Sequence, residues 1–273
     1  MRFGQRLATA VAAHGPLCVG IDPHPGLLAD WDLPDDASGV ERFGRGVVDA
    51  LAGEVALIKP QSAFFERHGS RGVAALEAVL ADACAAGILV LLDVKRGDIG
   101  STMDGYAQAY LSDGSPLAAD AITVSPYLGF GSLNPALELA SRTGRGIFVL
   151  SRTSNPEGAS LQEARVGDRS VAQTVVDDVA ARNAGADPLG DVGVVVGATG
   201  EYELDLGALN GPVLAPGLGA QGATPADIAA RFTGVTGTVL PAASRSVLRR
   251  GPAPQGLRAA VLELREELLK AGG

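Results

Sequence analysis

Eight short apolar runs recur along the chain, separated by Ala-rich amphipathic stretches, and this alternation constrains the fold more than any other feature. The runs are LCVGID (17–22), VALIKP (55–60), ILVLLD (88–93), AITVS (121–125), GIFVLS (146–151), VGVVVGA (192–198), PVLAPG (212–217) and GTVLP (237–241). They are continuously apolar rather than alternating, which is the pattern of parallel strands buried on both faces. Helical stretches fall between them, near 2–14, 39–53, 69–86, 102–111, 132–143, 168–184, 224–231 and 243–250, with a last one near 256–270. Ser132 and the Thr224–Pro225 pair read as N-cap signals for two of these helices. Eight strand–helix units predict an α/β protein, a (β/α)8 TIM barrel. No linker-like boundary divides the chain, so residues 1–273 read as one barrel domain. A doubly wound open sheet is the rival. Its first turn would carry G-x-G-x-x-G, whereas after Ile21 and Asp22 this chain reads PHPG.

Charge and composition narrow the partners. A net charge of -9 and only 4% aromatic residues argue against a nucleic-acid surface, which needs a basic footprint and stacking platforms. No stretch approaches the length of a membrane span, and the N-terminus lacks a signal-peptide pattern, so a cytoplasmic setting with no membrane partner is expected. Cys18 and Cys84 lie far apart in apolar contexts and read as two buried thiols, without a disulfide framework or Cys-based metal site. His14, His24 and His68 show no metal-ligand spacing; His24 reads as loop scaffolding and the other two as structural. Met103 and Trp31 suggest only packing. No metal is expected.

In a barrel of this kind, chemistry sits at the C-terminal ends of the strands. Those ends supply Asp22, Lys59, Asp93, Lys95, Asp98, Ser125, Ser154, Gln221 and Arg245, and the densest group is DVKRGDI at 93–99. Asp93 and Lys95 are two apart and share one face of an extended strand. Asp98 follows after Gly97 lets the chain turn. Carboxylates on both sides of a lysine favour its charged form, so Lys95 is suited to donate a proton. A surface ion pair or a Schiff-base lysine are the competing readings; flanking acids disfavour the second. Loops seven and eight, APGLGAQGA (215–223) and AASRSVL (242–248), have the position and the Gly content of a phosphate site, with Arg245 as a bidentate fork and Gln221 as a further cap. The polar turn SRTSNPEGA (151–159) brings Ser154 and Asn155, suited to reading an amide edge.

These segments together resemble a known family. DVKRGDIGST (93–102), GIDPHP (20–25), IKPQSAFFE (58–66), VSPYLGFGSL (124–133), TSNPEG (153–158) and PGLGAQG (216–222) resemble orotidine 5′-phosphate decarboxylase, in the long-loop subgroup found in mycobacteria and their relatives. The likeness spans nearly the whole chain. It implies conversion of orotidine 5′-phosphate to uridine 5′-phosphate and carbon dioxide, in pyrimidine biosynthesis, without metal or organic cofactor. By the resemblance, Lys95 donates the proton to pyrimidine carbon six, Asp93 lies beside the substrate carboxylate, and Lys59 links the ribose hydroxyls to that network. Asp22 holds a ribose hydroxyl, Ser154 reads the pyrimidine amide edge, and Gln221 and Arg245 contact the phosphate. Asp98, with Ile99 and Thr102 beside it, is delivered by the neighbouring subunit of a homodimer.

The chemistry suits the residues. Loss of carbon dioxide leaves a carbanion in the ring plane that no π system delocalises, so stabilisation must be electrostatic. Reactions this slow need roughly 20 kcal/mol of transition-state stabilisation, more than one ammonium supplies. Binding energy from phosphate and ribose must contribute, through closure of the long loops after strands one and five. Two rivals remain: a metal-dependent sugar-phosphate lyase or aldolase on the same barrel, and a non-catalytic nucleotide-binding barrel.

Overall fold

The computed structural model describes residues 1–200, 203–220 and 222–272. Each of the eight apolar runs coincides with a strand, three of which extend past the end of the run: Cys18–Ile21, Leu57–Pro60, Leu89–Arg96, Ala121–Val124, Gly146–Arg152, Val192–Val196, Val213–Pro216 and Val239–Ala243. They are numbered here one to eight in chain order. All pair in parallel, each with its sequence neighbours, and strand one pairs with strand eight (Cys18 opposite Ala242) to close the barrel. The observed fold is the (β/α)8 barrel that the alternation predicts.

The inward-facing residues of the strands fill the barrel, among them Leu57, Leu91, Phe148, Leu214 and Leu240, all buried. The N-terminal helix Phe3–His14 closes the end where the strands begin. Phe3 meets Phe148 edge-on at 6.1 Å, and a Cβ on Gly146, at the start of strand five, would lie 2.3 Å from the Phe3 ring. The opposite end, where the strands finish, is left open for a site. Outside the strands, helices such as Ala37–Leu51 and Gly69–Ala85 bury their apolar stripes against the barrel and one another.

Local signals held unevenly. Thr224 accepts from the Asp227 amide while the Asp227 carboxylate accepts from the Thr224 amide, a complete capping box for the helix Pro225–Arg231. Ser132 is not a cap. It lies inside a 3-10 turn, Phe130–Leu133, and its hydroxyl bonds back to the Gly129 carbonyl. Cys18 is buried as expected, but Cys84 is exposed, on the outer side of its helix. Trp31 and Met103 are buried core residues. The fifth loop holds structure that its polar sequence concealed: a one-turn helix, Ala159–Gln162, and a small hairpin pairing Arg165–Val166 with Arg169–Ser170. Among the described residues, no helix is long and apolar enough to cross a membrane.

Candidate active site

A cavity of about 430 Å³ opens at the C-terminal ends of the strands, lined by residues from the strands or the loops that follow them. Asp22, Lys59, Asp93, Lys95, Ser154 and Arg245 all line it. Six of the residues named from sequence are thus brought to one place.

Asp93 is the centre. Its Oδ2 accepts from Lys59 Nζ at 2.9 Å and from Gln61 Nε2 at 3.0 Å. Its Oδ1 accepts from Lys95 Nζ at 2.5 Å and from Thr123 Oγ1 at 2.8 Å. Four donors on one carboxylate fix its rotamer and leave it no reason to protonate. Burial alone would push the Asp93 carboxyl upward, but the flanking Lys59 and Lys95 ammonium groups outweigh this and hold it well below the usual carboxylate range. Burial would likewise depress Lys59, yet the Asp93 and Asp22 carboxylates raise it above the ordinary lysine value. Lys59 and Asp93 are only 8% and 6% exposed, so this pair is assembled out of bulk water. Lys95 differs. Its side chain is 46% exposed, at the mouth of the cavity.

The backbone places Lys95 by an unusual route. Strand three does not stay extended through Lys95; the residue takes φ +45, a left-handed conformation that costs a non-glycine residue roughly 1–2 kcal/mol. The register with strand four slips between Leu92 and Arg96. The shared face inferred for Asp93 and Lys95 is therefore produced by an irregularity rather than by regular alternation.

Elsewhere on the cavity, Asp22 Oδ1 is buried with no hydrogen-bond partner among the described residues, as is Ser244 Oγ beside Arg245. Buried polar atoms of this kind are rare unless a ligand completes them. Ser154 lies on the turn after strand five, and Gly197, after strand six, lets that turn close: a Cβ there would sit 2.9 Å from the Ser154 amide. Arg245 opens the four-residue helix Arg245–Leu248, across from Gly217 and Leu218 of loop seven. His24 lines the cavity with its ring 4.2 Å from that of Phe64.

Three sequence-derived candidates do not line the cavity of their own chain. Asp98 does not flank Lys95 within this chain; it is half-buried, and its carboxylate accepts from the Ile99 amide at 2.8 Å. Thr102 is exposed on the helix Gly100–Leu111, and neither it nor Asp98 lines the cavity. Asn155 is engaged by Thr153 and Glu157 rather than turned to the cavity. Gln221 lies outside the described residues. Two contributors were missed. Gln61 follows Lys59 by two residues and so faces the same way, and Thr123 is the one polar side chain inside the fourth apolar run before Ser125. Among the described residues, no group of three or more His, Cys, Asp and Glu side chains is arranged to hold a metal ion.

A closed parallel barrel with a Lys–Asp–Lys network at its strand ends and a Gly-rich, arginine-bearing corner beside it defines the class: a (β/α)8-barrel enzyme. The chain belongs to the orotidine 5′-phosphate decarboxylase / HUMPS family, whose model matches residues 15–260. It is 62% identical over 260 residues to the orotidine 5′-phosphate decarboxylase of Salinispora arenicola, covering 94% of each chain. The enzyme of that name from Streptomyces coelicolor is 59% identical over 261 residues, again with 94% of each chain covered. A crystal structure from Streptomyces avermitilis, assigned to the same enzyme, superposes with a TM-score of 0.94 at 57% identity, covering 99% of this chain and 96% of that one.

Proposed function

We propose that this chain, acting as one barrel domain over residues 1–273, decarboxylates orotidine 5′-phosphate to uridine 5′-phosphate with Lys95 as proton donor to pyrimidine carbon six. The observation that carries the reading is the Asp93 carboxylate, ionised and saturated by Lys59, Gln61, Lys95 and Thr123 before any substrate arrives. Such an arrangement is preorganised: its charges need no rearrangement when negative charge develops on the substrate. Lys95, the most exposed member of the network, is placed to face the carbon that loses carbon dioxide and then to protonate it.

The remaining residues bind and orient. Arg245 and the loop-seven backbone hold the phosphate, with Gln221 as a further contact. Asp22 accepts from a ribose hydroxyl, which satisfies its orphaned oxygen, and Lys59 bridges ribose and network. Ser154 reads the pyrimidine amide edge. The fifth loop closes over the base, so that binding energy collected at the phosphate is expressed at the reacting carbon. No metal or organic cofactor takes part, and Lys95 does not form a Schiff base, because its Nζ is engaged by Asp93 Oδ1 at 2.5 Å.

Asp98 and Thr102 act across a homodimer. In support, neither lines the cavity of its own chain, Thr102 is exposed and Asp98 half-buried, and Ile99, next to Asp98 in the chain, is an apolar residue 63% exposed. Two free cysteines suit a reducing, cytoplasmic setting.

The test is an assay with orotidine 5′-phosphate in the presence of a chelator, followed at the pyrimidine absorbance. Turnover at full rate without metal is expected. Metal-dependent turnover of a sugar phosphate, with orotidine 5′-phosphate untouched, would overturn the proposal, and binding of uridine 5′-phosphate without turnover would leave only a nucleotide-binding barrel.

A further inference from the structure

Thr123 stands on strand four, 1% exposed, opposite the irregular end of strand three. Across this stretch the ladder pairs Leu92 with Ile122 and Arg96 with Val124, so Thr123 alone faces Asp93, Val94 and Lys95. Its hydroxyl does three things. It donates to Asp93 Oδ1 at 2.8 Å, and it accepts from the Val94 amide at 3.0 Å and the Lys95 amide at 2.9 Å. A hydroxyl has one hydrogen to give and two lone pairs, so its whole capacity is committed to the lysine-bearing segment. The two amides belong to the residues that carry the chain into the left-handed turn at Lys95. A backbone held in such a conformation persists only where its surroundings over-determine it. Close packing supports the same arrangement a little further on, where a Cβ on Gly97 would lie 2.4 Å from the Ser125 carbonyl oxygen of the loop after strand four.

We propose that Thr123 is a positioning residue for decarboxylation: one hydroxyl sets both the Asp93 carboxylate rotamer and the left-handed backbone that presents the Lys95 ammonium to the substrate. Thr123 reaches the cavity wall, but its hydroxyl is engaged by Asp93 and the Val94 and Lys95 amides; it acts through Asp93 and Lys95, and the inference rests on the reading of those two as the reacting charges. A valine in its place keeps the shape and the β-branching but removes the donor and both acceptor sites. The amides of Val94 and Lys95 then lose their partner, the segment relaxes, and the ammonium moves from its place.

The experiment compares Thr123→Val, Thr123→Ser and Lys95→Ala with the unaltered enzyme, measuring kcat, KM and the affinity for uridine 5′-phosphate. Displacing a reacting group by an ångström can cost on the order of 100-fold in rate. Thr123→Val is expected to lower kcat by about 10- to 100-fold while product affinity changes by less than about threefold, since the phosphate and ribose contacts lie elsewhere. Thr123→Ser, which keeps all three hydrogen bonds, is expected to restore kcat to within about threefold. Unchanged kcat in Thr123→Val overturns the proposal, as does a parallel loss of rate and affinity that serine fails to rescue. If Thr123→Val does not fold, Thr123→Cys, with a weaker donor and acceptor at nearly the same size, is read by the same kcat-against-affinity split and overturns the proposal in the same ways. An active Lys95→Ala would instead defeat the underlying assignment of the proton donor, so the two failures are distinct.

Discussion

Replacing Lys59 with methionine tests whether the charge network is assembled before substrate binds. The perturbation keeps the length of the side chain and removes its ammonium from Asp93 Oδ2, 2.9 Å away. With an effective dielectric of about 20, opposite unit charges at that distance attract by about 6 kcal/mol. Taking both groups out of water offsets part of this, and breaking one side of a buried pair costs about 3–5 kcal/mol. Asp93 retains Lys95, Gln61 and Thr123, so the lower end, about 3 kcal/mol, is expected. Urea unfolding of Lys59→Met, Asp93→Asn and the double variant at neutral pH gives the coupling directly. The double variant should be more stable than the sum of the singles implies, by about 3 kcal/mol; additivity within ~0.5 kcal/mol would refute the reasoning. The pH dependence follows from the directions of the shifts. Asp93 is depressed, so its contribution is complete above its unfolded value near ~3.9 and is lost as pH falls below it. Lys59 is raised, so its contribution is complete below ~10.4 and is lost as pH rises through its folded value. The coupling is therefore expected to be flat from about pH 5 to about pH 9.

Other residues make separate predictions. Arg245→Ala should weaken uridine 5′-phosphate by about 10- to 100-fold, the loss of a charge-assisted hydrogen bond or two, while uridine affinity stays the same; equal effects on both ligands in titration calorimetry would remove Arg245 from the phosphate. Mixing Asp98→Ala with Lys95→Ala subunits should regain partial decarboxylation through hybrid dimers that carry one intact site, and no regain after subunit exchange would place the whole site within one chain. Burial pushes the Cys18 thiol up to about 12, so native protein near pH 8 should take up one equivalent of a thiol reagent, at the exposed Cys84, and two once unfolded; mass spectrometry locating the native label on Cys18 would contradict the packing of the barrel interior.

How legible the molecule was in its sequence depended on how local the signal is. The eight strands could be read because parallel strands buried on both faces need unbroken apolar runs, and seven of the eight runs here end in a polar, Gly or Pro residue. Lys59, Asp93, Lys95 and Arg245 could be read because the barrel sends strand ends to one mouth. What escaped was geometry set between strands. Thr123 looks like one more β-branched residue until the slipped register places its hydroxyl against two amides and a carboxylate. The left-handed turn at Lys95 has no glycine or asparagine to announce it. Cys84 lies among alanines in a helix whose buried stripe takes in Ala83 but not its neighbour, and composition alone does not set that phase. Asp98 shows the other limit: in sequence it is three residues from Lys95, yet within one chain it points away.

In the proposed reaction Lys95 supplies the proton and the positive charge while the rest of the cavity supplies binding. This division is tested most directly by Lys95→Ala, assayed for decarboxylation of orotidine 5′-phosphate alongside calorimetric binding of uridine 5′-phosphate. Decarboxylation is expected to be lost while the nucleotide still binds. Decarboxylation persisting at more than a few per cent of the unaltered rate would contradict this role of Lys95.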